Sequence, residues 1–108
     1  MFGRKKKAAQ HTLEDRELVA DNAQKIDALK VLAEGNEEFL KTLTELQEKL
    51  KYLIPSDEPK VYDADKKIGN LLGDLRIALT KSDGEDNKKT ASLLADVKLA
   101  IVDRNGKL

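Results

Sequence analysis

The chain contains no cysteine and no tryptophan, and its single histidine is His11. Without cysteine there is no disulfide framework and no thiolate metal site. A helical di-iron centre needs Glu-x-x-His on its helices, and the residue three before His11 is Ala8, so that motif is missing. Aromatic residues make up 4% of the chain, too few for a platform that stacks single-stranded nucleic acid. No window approaches the ~18 consecutive apolar residues of a membrane-spanning helix. HExxH, CxxC, G-x-S-x-G and GxxxxGK[ST] are all absent. Phe2-Gly3 is not a myristoylation start, which needs glycine at the second position. The basic start runs into "AAQHTLEDREL", charged where a secretory signal would be apolar, so no secretory leader is expected. These absences point to a non-enzymatic, cytoplasmic protein with no cofactor and no metal.

What remains is a helical composition. Charged residues are 37% of the 108, and Leu, Lys, Glu, Ala and Asp dominate beside only two prolines. Regular apolar spacing argues against disorder, the other reading of such a mixture. Basic and acidic residues balance at 20 each, but Arg4, Lys5, Lys6 and Lys7 stand together at the start. Setting them aside leaves 16 basic residues against 20 acidic ones, an acidic body that disfavours nucleic acid as a partner. Residues 1–11 read as a flexible basic arm and residues 12–108 as a single helical domain. Arg4, Lys5, Lys6 and Lys7 are the candidate contact with an anionic surface. At about 1 kcal/mol per basic residue, four charges would give only weak membrane-surface contact. The plainer reading is a solubilising arm.

Thr12 could cap the first helix, with Asp15 as a weak capping-box partner. Further on, Leu29, Leu32, Asn36, Phe39, Leu43, Leu46, Leu50 and Leu53 alternate steps of three and four, a heptad seam with one polar member. Val19, Ile26, Ala33, Leu40 and Ile54 widen it on one side, and Leu18 extends it upstream past Asn22 and Lys25. Pro55 ends the segment, and Pro59 stiffens the connection. A second helix is predicted from about Lys60 to Lys81, with Val61, Ile68, Leu72, Leu75 and Leu79 among its inward residues. "SDGEDN" is a turn, and a third helix runs from there to about Arg104. "DGEDNKKTASLL" has acids at the first and third positions of a calcium loop. It lacks the sixth-position glycine and the final glutamate, so it fails as an EF-hand. Acidic pairs such as Glu34/Glu38 read as solvated helix surface.

Gly35-Asn36 decides the architecture. Both residues disfavour a helix interior, yet together they cost under ~2 kcal/mol, comparable to burying one leucine. Because the apolar seam keeps its phase across them, the expectation is one continuous helix from about residue 12 to 53. The fold class is therefore all-α: a long N-terminal helix followed by a helical hairpin. The alternative is a four-helix bundle, if the chain breaks at Gly35-Asn36. A helix of that length spans about 63 Å at 1.5 Å per residue, more than the hairpin can cover. Leu18, Val19, Ile26, Leu29 and Leu32 would then form an exposed interface stripe. Ile77, Leu99 and Val102 are further interface candidates. They lie on outer faces shared with Tyr62, Lys66, Gly69 and Gly73 on the second helix, and with Ala91 and Ala95 on the third. Scattered surface apolar residues are also ordinary in themselves. The expected function is a helical interaction protein that self-associates as a homodimer. The alternative is a chaperone or adaptor holding another protein's amphipathic helix.

Overall fold

The computed structural model describes residues 2–81 and 87–107, and side chains for residues 12–81 and 88–107. The chain is all-α, with four helices and no strand among the described residues: α1 (Phe2–Leu32), α2 (Glu37–Lys51), α3 (Pro59–Thr80) and α4 (Asn87–Asn105). The later two helices match the sequence expectation to within a residue or so. The "SDGEDN" turn falls mainly on residues outside the described ones. α1 begins at Phe2, so residues 2–11, expected as an arm, belong to the first helix.

The continuous helix from 12 to 53 is not what forms. Gly35 has φ +96°, a left-handed conformation that ends α1 as glycine does past a helix C-terminus. The Asn36 N–H donates to the Ala33 carbonyl at 2.9 Å, closing the corner. Asn36 then caps α2 in an extended conformation, its side-chain oxygen accepting the Phe39 N–H at 3.1 Å. Glu37 and Glu38 in the first turn of α2, and Lys49 and Lys51 in its last, complement the helix dipole.

Burial decides this outcome. Folding back lets α1 and α2 cover each other, and Val19, Ile26 and Leu29 enter the core at 6%, 0% and 1% exposure. Each large apolar side chain removed from water contributes about 1.5–3 kcal/mol, so a few of them outweigh the straight helix. The common phase was a property of a broad stripe. α1 buries Asp15, Val19, Asn22, Ala23, Ile26, Leu29 and, just beyond it, Ala33, while α2 buries Phe39, Leu43, Leu46, Gln47, Leu50 and, just beyond it, Leu53. Extending the α1 spacing would reach Leu40, Leu43, Gln47 and Leu50. The two stripes thus coincide at Leu43, Gln47 and Leu50, and α2 widens its own with Phe39 and Leu46.

α2 stops at Tyr52, and Pro59 occupies the first turn of α3, where its missing N–H and fixed φ suit a helix start. α1 packs against α2 and α3, and α4 against α3 and, more lightly, α2. The helices therefore succeed one another around the core in the order α1, α2, α4, α3. Ile68, Leu72, Leu75, Leu79, Leu94, Val97 and Ile101 complete a core shared by all four.

Candidate interaction surface and a buried polar cluster

Along α4, the side chains at spacings of four, four and three from Ala91 reach Ala95, Leu99 and Val102. All four are exposed, with Leu99 at 62% and Val102 at 59%. The stripe borders the lightest helix contact, where α2 and α4 leave a groove of about 720 Å³. Tyr52, Leu53, Ile54, Ile101 and Val102 form its apolar lining, and Glu45, Glu48, Lys49 and Asn105 its polar part. Tyr52 and Ile54 are 83% and 69% exposed, so the apolar surface continues from α4 across the groove to the end of α2.

The expected interface residues separate into different environments. Val19, Ile26 and Leu29 are core residues, and Leu18 is half-buried. The expected α1 stripe is therefore not an open surface, because α2 and α3 cover it. Leu32 remains on the rim of that helix at 38% exposure. Leu99 and Val102 stand open together. Ile77 is exposed as well, but it lies beside Leu93 on another side of α4. Gly69, expected on the outer face of α3, is buried against α1. Arg4, Lys5, Lys6 and Lys7 fall within α1, and their side chains lie outside the described residues.

The second feature is a buried cluster of charge. Asp15 on α1, Asp65 on α3 and Arg104 on α4 are each 0% exposed. Arg104 grips Asp65 with two nitrogens, Nε to Oδ1 at 2.9 Å and Nη2 to Oδ2 at 3.4 Å. Its Nη2 also reaches Asp15 Oδ2 at 3.4 Å and donates to the Ile54 carbonyl at 2.7 Å. The Ser56 N–H donates to Asp15 Oδ2 at 2.8 Å. Asn22 extends the polar column, its Nδ2 donating to the Asp65 carbonyl at 2.9 Å. The Asp65 carboxyl is raised from its ordinary 3.8 to about 7, first by burial and then by Asp15 beside it, while Arg104 pulls it the other way.

Sequence reasoning missed this cluster, although a signal for it exists. Asp65 lies in the buried series Val61, Asp65, Ile68, Leu72, Leu75, Leu79, and Arg104 ends the series Thr90, Leu94, Val97, Ile101, Arg104. Both series alternate steps of four and three. Charged residues in core phase on different helices, with opposite signs, are what a buried ion pair looks like in sequence. Asp15, expected in a capping box, instead has Ser56 and Arg104 as its described partners.

Enclosed on all sides, the cluster can hold or release a proton but offers no face to a substrate. Among the described residues, no group of three or more His, Asp or Glu side chains is arranged to hold a metal ion. No described helix is long and apolar enough to cross a membrane. Comparisons with protein-family models, curated proteins and solved structures find no match to this chain.

Proposed function

We propose that the protein is a non-enzymatic helical interaction protein that self-associates through the outer face of α4 and the adjoining α2–α4 groove. The observation behind this reading is the continuous exposed apolar surface of Leu99, Val102, Tyr52 and Ile54, bordered by Ala91 and Ala95. Large connected apolar patches are commonly interaction sites. A second copy of the chain suits this one for two reasons. The alanines allow close approach of another α4 across a two-fold axis, where one patch meets itself. The charges also complement each other: Lys98 lies on the line joining Ala95 to Val102, while Glu45 and Glu48 line the groove. An antiparallel α4 from the second copy would bring its Lys98 toward those carboxylates. The surface differs from the α1 stripe expected from sequence, but the kind of partner is the same.

Light scattering on purified chain at tens of micromolar tests the proposal. The expected mass is twice the 12.0 kDa of the monomer. Leu99→Glu with Val102→Glu should give a folded 12.0 kDa species, since both side chains are exposed and their loss leaves the core intact. A wild-type chain that is monomeric throughout would refute self-association. If that monomer instead bound an isolated amphipathic helix competitively with these substitutions, the adaptor reading would take its place.

A further inference from the structure

The buried cluster has an imbalance that the fold alone does not resolve. Two carboxylates share one guanidinium, all three groups are fully enclosed, and Asp15 Oδ1 is buried without a hydrogen-bond donor among the described residues. A buried carboxylate oxygen lacking a donor is costly, as is an uncompensated buried charge. One proton held between the two carboxyls removes both problems: it supplies the missing donor and makes the cluster neutral. The same groups hold the chain on either side of Pro55, Arg104 through the Ile54 carbonyl and Asp15 through the Ser56 N–H. We propose that Asp15, Asp65 and Arg104 form a proton-linked clasp that fastens residues 54–56 when the carboxyls share a proton and loosens them when it is lost.

The elevated Asp65 carboxyl, at about 7, agrees with this arrangement and sets the range. The folded chain keeps a proton that the unfolded chain releases near 3.8, so stability from this group is fully present below 3.8. It declines as pH rises toward 7 and has no further dependence above that. The clasp joins Asp15 of α1, Asp65 of α3 and Arg104 of α4, and it touches Asn22 of α1, Asn105 of α4 and the backbone of Ile54 and Ser56 from the α2–α3 connection. Charged groups around it are exposed: Glu14 on α1, Asp57 on the connection, Lys60 and Asp63 on α3, and Asp103 and Lys107 on α4. His11 lies four residues before Asp15 in sequence, and histidine is the side chain that ordinarily changes charge near neutral pH, so it needs its own control. Since Ile54 lines the α2–α4 groove, control of self-association by the clasp rests on the function proposed above, whereas the clasp itself does not.

The test uses the full chain and two separate readouts. Carboxyl-carbon NMR from pH 4 to 9 tracks Asp65, and amide hydrogen exchange, corrected for its intrinsic pH dependence, tracks the Ser56 N–H. The Asp65 signal is expected to titrate near 7, with Ser56 protection falling about tenfold or more between pH 6 and pH 8. Asp65→Asn imitates the protonated acid and should keep Ser56 protection level across that range. Asp15→Asn should do the same and serves if the first variant does not fold. His11→Gln should leave the wild-type profile intact. Titration of Asp65 below pH 5, Ser56 protection that does not change, or a profile abolished by His11→Gln would each overturn the clasp. Light scattering on the same samples separates the two proposals. A loss of Ser56 protection in a chain that is monomeric at both pH values supports the clasp and overturns the self-association reading.

Discussion

The two ends of α2 are fastened by different means. At the α1–α2 corner, everything needed lies within a few residues: Gly35 supplies the left-handed turn, and Asn36 caps α2. At the other end, the α2–α3 connection is held by residues distant in sequence, with Asp15, Asp65 and Arg104 meeting around Ile54 and Ser56. The corner is made of neutral groups near the surface, whereas the clasp buries three ionisable ones. The first gains its stability from local geometry and from the apolar burial it permits. The second gains nothing unless every partner is present, because each charge is enclosed at a desolvation penalty that only the others offset.

Removing a partner from the buried end should have the largest effect. Arg104→Ala leaves two enclosed carboxylates with no cation and frees the Ile54 carbonyl. A loss of about 3–5 kcal/mol is expected near neutral pH from breaking a buried ion pair. Urea denaturation at pH 7 measures it. A loss below about 1 kcal/mol, the range of surface salt bridges, would mean that the cluster is solvated in solution.

The difference between the ends also explains how much of the molecule is legible in its sequence. Helical character, the break at Pro55, the end of α3, the start of α4 and most inward residues of those two helices come from spacing and local chemistry. Gly35-Asn36 is legible as a choice between two outcomes. The choice itself is not local, since α3 lies against the same α1 stripe and rewards the fold-back. The clasp joins positions 15, 65 and 104, a separation at which spacing within any one helix carries no pairing information. The open surface is only half legible. Leu99 and Val102 show as outer-face residues of one helix, but Tyr52 and Ile54 join them only once α2 lies beside α4.

At the corner, the matching test is Gly35→Ala, with a smaller expected loss. No atom lies within 4 Å of where the new Cβ would be, so crowding plays no part. The penalty is conformational: at φ +96° an alanine is strained by about 1–2 kcal/mol. A continuous helix would predict the opposite sign, stabilisation by about 0.5–1 kcal/mol. The shift in urea midpoint thus tells a corner from a straight helix in solution.

The smallest effects come from two glycines on α3, and they show how far the polar end reaches along that helix. Both occupy helical backbone, where alanine is preferred over glycine by about 1 kcal/mol. At Gly73 the helix is exposed and nothing lies within 4 Å of an added Cβ, so Gly73→Ala should stabilise by about 0.5–1 kcal/mol. At Gly69 the added carbon would stand 2.9 Å from Asn22 Oδ1 and 3.3 Å from Lys25 Nζ. Lysine can swing aside, but Asn22 is fully buried and tied through its Nδ2 to the Asp65 carbonyl. To make room, the amide must give up that bond or push α1 away from α3. The propensity gain is then outweighed, and Gly69→Ala should destabilise by about 1 kcal/mol net, the size of one lost buried hydrogen bond less the helix preference. Asn22→Ala combined with Gly69→Ala removes the obstruction and should recover the propensity gain relative to Asn22→Ala alone. A double-mutant cycle from urea midpoints reads this coupling directly. Additive losses would mean that Asn22 does not press on Gly69, and that the close packing of α1 on α3 belongs to the apolar residues below the clasp.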